Sequence, residues 1–236
     1  MKKITILLGC FFCLQYGFSQ QASYVDPAAA YLRLLLEKGQ EATVQQIGAF
    51  KVRGTSYLFG EKLSGNAYQG AEMALNVPVS YNTYNQQVEI YQDNQVKPIV
   101  LTPAELDSFK LLSSDKTSFT EDLFFVSSKK VDSNAKKFFL QEISAGKRFS
   151  LYKAYKSELA FASDNYIQAD LREFTLVYDY YYNDVTKPGL KKLKVNATNM
   201  KKEFKDVADI SIFANSDEFV INPEKALKKI FAQLNL

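Results

Sequence analysis

Carboxylates, tyrosines and lysines are the side chains in this sequence that could carry chemistry, because the chain contains no histidine. Its two cysteines, Cys10 and Cys13, both lie in the first 19 residues. Without histidine, a Ser-His-Asp triad, a Cys-His pair and an HExxH zinc site are excluded. Glycine-rich phosphate loops and DxDxDG calcium loops are also missing from the sequence. We therefore expect no catalytic residues of these types, no metal site and no cofactor.

Two groups of acidic residues have the composition that a glycosidase site needs. That mechanism uses two carboxyl groups roughly 5–9 Å apart, one of them with a raised pKa. The first group is Glu121 with Asp122, and the second is Asp170, Glu173 and Asp179. Neighbouring strand residues point to opposite faces, so Glu121 and Asp122 would not converge on a strand. Because charged residues are mostly exposed, we expect solvated turn charges here, with a carboxylate-dependent glycan hydrolase as the alternative.

The most unusual local sequence is Tyr178-Asp-Tyr-Tyr-Tyr-Asn-Asp. In an extended strand Tyr178, Tyr180 and Tyr182 share one face, since side chains alternate between the faces of a sheet. A row of tyrosines could stack on sugars or contact a protein, because each ring combines flat area with a polar tip. The alternative is ordinary strand packing, in which aromatic residues are common. We predict that these three tyrosines bind a ligand or a partner.

The charge distribution argues against a nucleic-acid partner. The formal net charge is +3, and it falls to +1 when Lys2 and Lys3 are removed with the first 19 residues. One basic stretch stands out, and acidic residues interrupt it; its lysines are at positions 187, 191, 192, 194, 201, 202 and 205. Clustered basic residues with interleaved aromatic rings are missing there. We expect a solvated helix face with at most weak contact to anionic headgroups.

Residues 1–19 have the pattern of a secretory signal peptide. Lys2 and Lys3 precede the apolar run from Ile4 to Leu14, and small residues stand before a cut ahead of Gln20. Two alternatives are an uncleaved membrane anchor and lipidation of Cys10, which ends a lipobox-like Leu-Leu-Gly-Cys. No later segment approaches the ~20 apolar residues of a membrane helix. We expect an exported protein that is periplasmic, associated with the outer membrane, or secreted.

Alternating apolar and polar residues indicate strands between Val52 and Val185. The predicted strands are Thr55–Phe59, Ala67–Gly70, Val77–Tyr84, Val88–Gln92, Lys97–Leu101, Ser108–Leu112, Leu123–Ser127, Lys137–Ile143, Phe149–Tyr155 and Glu173–Tyr182. Short strands separated by turn residues are typical of antiparallel pairing. The predicted fold class is therefore mainly β (α+β): an antiparallel β-meander forming an open sheet, a sandwich or a half-barrel. We expect residues 20–236 to form a single domain.

Helices are predicted at both ends of this β region. Pro27–Lys38 follows Asp26 as N-cap and precedes Gly39, which predicts a short N-terminal helix. Two more are expected in a C-terminal helical segment of about residues 196–236. Asn196 caps the first, and Asn222 with Pro223 begins the second. The second would bury one stripe, consisting of Ala226, Leu227, Ile230, Phe231 and Leu234.

Four segments carry a resemblance to a known group of proteins. They are Gly54-Thr-Ser-Tyr-Leu-Phe followed by Val77-Pro-Val-Ser-Tyr-Asn-Thr-Tyr, then Phe139-Leu-Gln-Glu-Ile-Ser-Ala-Gly-Lys-Arg-Phe, and Gly189-Leu-Lys-Lys-Leu-Lys. Over roughly residues 53–234 the chain resembles a family of uncharacterised exported proteins of Bacteroidota. The resemblance implies export into a Gram-negative envelope and implies no known activity. We expect a non-catalytic exported envelope protein that acts as a binding or scaffold module, with an envelope protein or a glycan as partner.

Overall fold

The computed structural model of the chain describes residues 44–47, 50–92, 95–162 and 171–236. Within these ranges the protein is mainly β, as the sequence predicts, with twelve strands in one sheet and five helices. The predicted signal peptide and the predicted helix Pro27–Lys38 lie outside the described residues, so both stay predictions. None of the described helices is both long enough and apolar enough to cross a membrane.

The strands vary from three to fourteen residues in length. They are β1 Val44–Ile47, β2 Phe50–Arg53, β3 Leu63–Gln69, β4 Glu72–Asn82, β5 Gln87–Ile90, β6 Ile99–Leu101, β7 Ser108–Leu111, β8 Leu123–Ser127, β9 Phe139–Ser144, β10 Phe149–Phe161, β11 Leu171–Asp184 and β12 Lys187–Leu193. The helices are α1 Ser128–Val131, α2 Ala197–Phe204, α3 Ser211–Ala214, α4 Asp217–Ile221 and α5 Pro223–Leu234.

The sheet is mixed, which corrects the prediction of purely antiparallel pairing. Its order is β1-β2-β11-β10-β9-β8-β7-β3-β4-β5-β6, and β12 also pairs with β11. Every pairing is antiparallel except the one between β2 and β11, where Lys51 lies opposite Leu171. Turn residues signal hairpins between neighbouring strands, but no local signal reports the pairing of strands far apart in the chain. This contact could therefore not be predicted from spacing.

One predicted strand needs correction, and one observed strand was not predicted. Thr55–Phe59 forms only an isolated bridge between Tyr57 and Asn82, because left-handed backbone at Phe59 and Lys62 interrupts the extended run. The segment from Leu190 to Leu193 was not among the predicted strands, yet it is part of strand β12 and pairs with β11.

Two hydrophobic cores lie along the sheet. The first packs aromatic rings of the N-terminal and central strands, with Phe109 and Phe125 stacked at 4.6 Å between ring centres. The second lies between strands β10, β11 and β12 and the C-terminal helices, and Phe149, Phe204 and Phe231 pack there. Strand β10 contributes to both, because Leu151 belongs to the second core and Tyr155 to the first.

The C-terminal helices pack one face onto the second core. Helix α5 begins as predicted, with the Asn222 side chain accepting a hydrogen bond from the N–H of Lys225. The Asn196 side chain accepts from the N–H of Asn199 at the start of α2. All five residues of the predicted α5 stripe are buried. Short helices α3 and α4 lie between α2 and α5, so four helices follow β12 where two were expected.

Asn235 fixes the end of α5 to the hairpin between β9 and β10. Its side-chain oxygen accepts hydrogen bonds from the N–H groups of Arg148 (3.0 Å) and Phe149 (2.8 Å). Its Nδ2 donates to the carbonyl oxygens of Phe149 (2.9 Å) and Phe231 (2.7 Å). A Cβ added at Gly146 would lie 2.1 Å from that nitrogen, so only glycine allows this close approach. Each polar atom of the Asn235 amide is therefore satisfied twice.

We expect Asn235→Ala to lower the free energy of unfolding by about 2 kcal/mol, because the N–H groups it binds lose their acceptor. Gly146→Ala should destabilise the protein as well, by displacing the same amide. Chemical denaturation measures both effects. Gln233→Ala, two residues earlier, is the control and should change the stability by less than about 0.5 kcal/mol. Equal effects of the Asn235 and Gln233 substitutions would contradict this role.

Candidate partner-binding surface

The three tyrosines predicted as a binding row share one face of β11, but they differ strongly in exposure. Tyr178 is 53% exposed, whereas Tyr180 and Tyr182 are 6% and 3% exposed. The Tyr182 ring packs against Phe204 of α2 and Phe231 of α5. The helices thus cover two of the three rings, and Tyr178 alone is at the surface. The prediction that these tyrosines bind a partner stays a prediction, and it now depends on Tyr178.

The two buried tyrosines use their hydroxyl groups to connect the sheet to the helices. The hydroxyl of Tyr180 donates to Glu224 Oε2 over 3.1 Å, and that of Tyr182 donates to Glu203. Burial raises the pKa of both phenols above the ordinary value, and the neighbouring carboxylates raise it further. Both phenols therefore stay neutral hydrogen-bond donors at physiological pH.

A lysine lies among three tyrosine rings where the two cores meet. Lys153 Nζ is 5.1, 4.3 and 5.6 Å from the ring centres of Tyr155, Tyr178 and Tyr180. It also forms an ion pair of 2.8 Å with Glu224 Oε2, and its side chain is only 13% exposed. We call these five residues the tyrosine–lysine cluster. Ammonium groups attract ring faces, so the cluster supports the exposed Tyr178 ring.

Next to Tyr178, strand β11 is exposed on both of its faces. All residues from Thr175 to Asp179 are exposed, and Leu176, Val177 and Tyr178 among them are apolar or aromatic. Sheets that face water usually place polar side chains outward. An exposed apolar stretch on an anchored strand is typical of an interaction surface. Sequence reasoning singled out Tyr178 here and missed Leu176 and Val177.

The same stretch of β11 lies in a gap between two neighbouring strands. Strand β10 follows one edge of β11 along its length. On the other edge β2 pairs with residues 171–173 and β12 with residues 180–184. Within the described ranges, no strand pairs with residues 174–179 on that edge. We call these six residues the open edge.

Gly54 ends the pairing of β2 at the border of the open edge. Its φ of +83° is a left-handed conformation that favours glycine. A Cβ there would lie 3.4 Å from the carbonyl oxygen of Phe174. The chain turns away from β11 at this point, which leaves the following β11 residues without a neighbouring strand among the described residues.

Three described members of the predicted carboxylate groups are each paired with a basic side chain. Asp122 accepts a hydrogen bond from the N–H of Ser113 and forms an ion pair with Lys110, and these contacts hold its pKa below the ordinary value. Glu173 pairs with Arg53 at 2.5 Å, and Asp179 with Lys192 at 2.7 Å. Glu121 is exposed, and Asp170 lies outside the described residues. No three acidic, histidine or cysteine side chains in the described ranges are grouped to hold a metal ion.

Glu142 is a carboxylate that sequence reasoning missed. Burial raises the pKa of its carboxyl group above the ordinary value. Glu142 lies opposite Tyr152 on β10, whereas its neighbour Gln141 lies opposite Lys153. Strand alternation directs the Glu142 side chain away from the face that carries Lys153. Glu142 and Glu224 nevertheless both border a cavity of 310 Å³, together with Glu121 and Asp122. Glu224 is engaged within the chain there, because it pairs with Lys153 and accepts the hydroxyl of Tyr180.

A groove of 370 Å³ borders β10 and β11 on the face that carries Val177 and Tyr181. Aromatic rings of Tyr84, Phe138 and Tyr181 line it together with Val177. Lys136, Lys137 and Lys156 add positive charge, and Lys156 is paired with Glu158 at 2.8 Å. The exposed stretch of β11 therefore has a concave, largely aromatic surface beside it.

Comparisons of the chain with models of protein families, with curated proteins and with solved structures find no significant match. The function therefore has to be inferred from the geometry of the chain itself.

We expect the free energy of unfolding to fall as the pH rises above about 10, where tyrosines of the unfolded chain ionise. The phenols of Tyr155, Tyr180 and Tyr182 have raised pKa values in the folded state. Their contribution is fully present below about pH 10 and is lost as the pH rises further. Denaturation between about pH 8 and pH 11 measures the slope. Tyr182→Phe should reduce the slope, whereas Tyr84→Phe at an exposed position is the control; equal slopes would contradict the assignment.

The Lys153–Glu224 pair should contribute measurably to stability. We expect Glu224→Gln to lower the free energy of unfolding by about 1–3 kcal/mol, because it weakens the partner of a largely buried ammonium group. Adding Lys153→Met should recover part of the loss. The matched control is the exposed pair Lys156 and Glu158, for which the same two changes should cost less than about 1 kcal/mol. If the changes in unfolding free energy at Lys153 and Glu224 are additive in a double-mutant cycle, the two residues are not a coupled pair.

Proposed function

We propose that the chain is a non-catalytic exported protein of the bacterial envelope that acts as a binding or scaffold module. Export and an envelope location are supported by the signal-peptide pattern of residues 1–19 and by the resemblance to exported proteins of Bacteroidota. The binding role is supported by the surface around Tyr178. The envelope compartment and the identity of the partner are part of the proposal to be tested.

The observation that carries the proposal is the exposed stretch from Thr175 to Asp179. Five consecutive residues of a long strand are exposed, although three of them are apolar or aromatic. Elsewhere in the same strand Tyr180 and Tyr182 bury their rings under helices. Burial of apolar surface drives most protein association, so a partner that covers Leu176, Val177 and Tyr178 would gain free energy.

This surface is held in place before any partner arrives. The Tyr178 ring contacts Tyr155 at 6.4 Å and Tyr180 at 5.7 Å between ring centres, with Lys153 beneath it. Strand β10 pairs with the whole stretch. A preorganised surface loses little conformational entropy on binding, which favours recognition.

The charged groups near this surface support a non-catalytic role. Lys153 is paired with Glu224, Asp179 with Lys192 and Lys156 with Glu158. A general base or a nucleophile needs a group that can reach a substrate and change its protonation state near neutral pH. Each of these groups is engaged by an opposite charge of the same chain, so the ion pairs hold the surface in place.

Affinity purification from envelope extracts tests the proposal. The wild-type chain should retain a partner, and the double variant Leu176→Ser and Tyr178→Ser should retain at least about tenfold less, since both lost side chains are exposed and contribute contact area. Mass spectrometry of the soluble and membrane fractions identifies the partner and its compartment.

The control variant is Val220→Ser with Ile221→Ser, which removes two exposed apolar side chains of α4 far along the chain from β11. It should retain the partner as the wild type does. Circular dichroism and thermal unfolding check that both variants are folded. Equal retention of the partner by the wild type and both variants would contradict the assignment of this surface as the binding site. Turnover of a polysaccharide by the purified chain would favour the glycan hydrolase instead.

A further inference from the structure

The hydrogen bonds at the two ends of the β10–β11 ladder show which backbone groups of β11 face the open edge. The N–H of Ala162 donates to the carbonyl of Leu171, and the N–H of Val185 donates to the carbonyl of Arg148. In an antiparallel pair the residues that bond to the neighbour alternate with residues that point away. The odd-numbered residues of β11 therefore bond to β10, and the even-numbered residues point to the opposite edge.

Along the open edge, Phe174, Leu176 and Tyr178 are the even-numbered residues. The parallel pairing with β2 reaches Glu173, so we count the N–H of Phe174 as part of that ladder. The N–H and C=O groups of Leu176 and Tyr178 have no backbone partner in the described part of the chain. Their spacing is that of a strand, so another extended backbone can pair with all of them at once. This set of donors and acceptors points to a polypeptide as the ligand.

Natural proteins usually protect free sheet edges with lysine, proline, a bulge or a very short strand. Residues 174–178 contain no charged residue and no proline, and the β10–β11 register runs through them without a bulge. The charges at the two borders are neutralised within the chain, because Glu173 pairs with Arg53 and Asp179 with Lys192. Among the described residues, the open edge is thus electrically neutral and has none of these protective features.

We propose that the open edge is a strand-addition site, which takes an extended segment of a partner protein between β2 and β12. The inference rests on the proposed binding function and names the class of partner. The segment is about five or six residues long, which is the length of the gap. Because the gap is neutral, the segment has no charge at its centre. Its apolar side chains on one face lie beside Leu176 and Tyr178, and main-chain hydrogen bonds supply the affinity.

The lengths of the strands argue against a second copy of this chain as the occupant. Strand β11 has 14 residues, and in a symmetric pair its ends would overlap β2 and β12 of the other copy. Six paired residues would also bury far less than the ~1,200 Å² of a stable specific interface. A tail or loop of a partner, whose ends can leave the plane of the sheet, avoids both problems.

Hydrogen exchange measured by NMR tests the inference with a defined probe. The probe is the peptide acetyl-Lys-Thr-Val-Thr-Val-Thr-Lys-amide at up to about 1 mM, a concentration at which weak binding is detected. The amide protons of Leu176 and Tyr178 should exchange at least about fivefold more slowly with the peptide, because they gain hydrogen bonds. Those of Thr175 and Val177 already bond to β10 and should not change.

Two matched controls separate backbone pairing from side-chain contact. A peptide of the same sequence, N-methylated at alternate residues so that one edge cannot donate, should give no protection. Leu176→Pro removes an outward N–H without removing a bond to β10, and it should weaken peptide binding at least about tenfold. If that variant fails to fold, the N-methylated peptide still distinguishes backbone pairing from side-chain contact.

Unchanged exchange at Leu176 and Tyr178, or equal protection by both peptides, would overturn strand addition. These two results can be distinguished from a failure of the proposed binding function, because partner capture is measured separately from amide exchange. Loss of the captured partner in the Leu176 and Tyr178 variant, without amide protection, would leave a binding module that recognises side-chain surface. A glycan that shifts the ring signals of Tyr178 without protecting the amides would also overturn strand addition and leave the binding module intact.

Discussion

The ladder between β10 and β11 is the constraint on which the rest of the structure depends. It runs from Phe149 opposite Asp184 to Phe161 opposite Arg172 without a change of register. One end of this ladder supports the C-terminal helices, and the other end extends past the first core. A shift by one residue would exchange the two faces of β11. Tyr180 and Tyr182 would then leave the helices, and the tyrosine–lysine cluster could not form.

The tyrosine–lysine cluster marks the border between the two roles of β11. Tyr180 faces the helices and is buried, while Tyr178, two residues earlier, is exposed. Lys153 and Glu224 satisfy each other's charge at this border, where neither core is deep enough to exclude water completely. The cluster lets one strand serve as a core element at one end and as a surface at the other.

The sequence predicted those features that depend on neighbouring residues. The cap at Asn222, the first helical residue Pro223 and the buried stripe of α5 are local, and the structure confirms them. The mainly β character followed from alternation in the same way. The parallel contact of β2 with β11 joins segments far apart in the chain, and no local residue type reports it. Local signals also did not indicate the two short helices between α2 and α5.

The binding surface was predictable only in part, for a related reason. Alternation placed Tyr178, Tyr180 and Tyr182 on one face, and the structure agrees. Which of these rings is covered depends on where the helices pack, and an aromatic row has the same period in a core as on a surface. The gap beside β11 depends on where β2 and β12 end. That is set by the left-handed turn at Gly54 and by the departure of the chain after Leu193.

The division into two cores affects the order in which a growing chain can bury its residues, because the N-terminal part is synthesised first. The buried residues of the first core run from Leu58 to Tyr155, and those of the second from Phe149 to Leu234. The two sets overlap only within β10. Residues of the first core are therefore all present before the C-terminal helices have been synthesised. A growing chain can bury the aromatic rings of the first core early, and the C-terminal helices then pack onto a sheet that already exists.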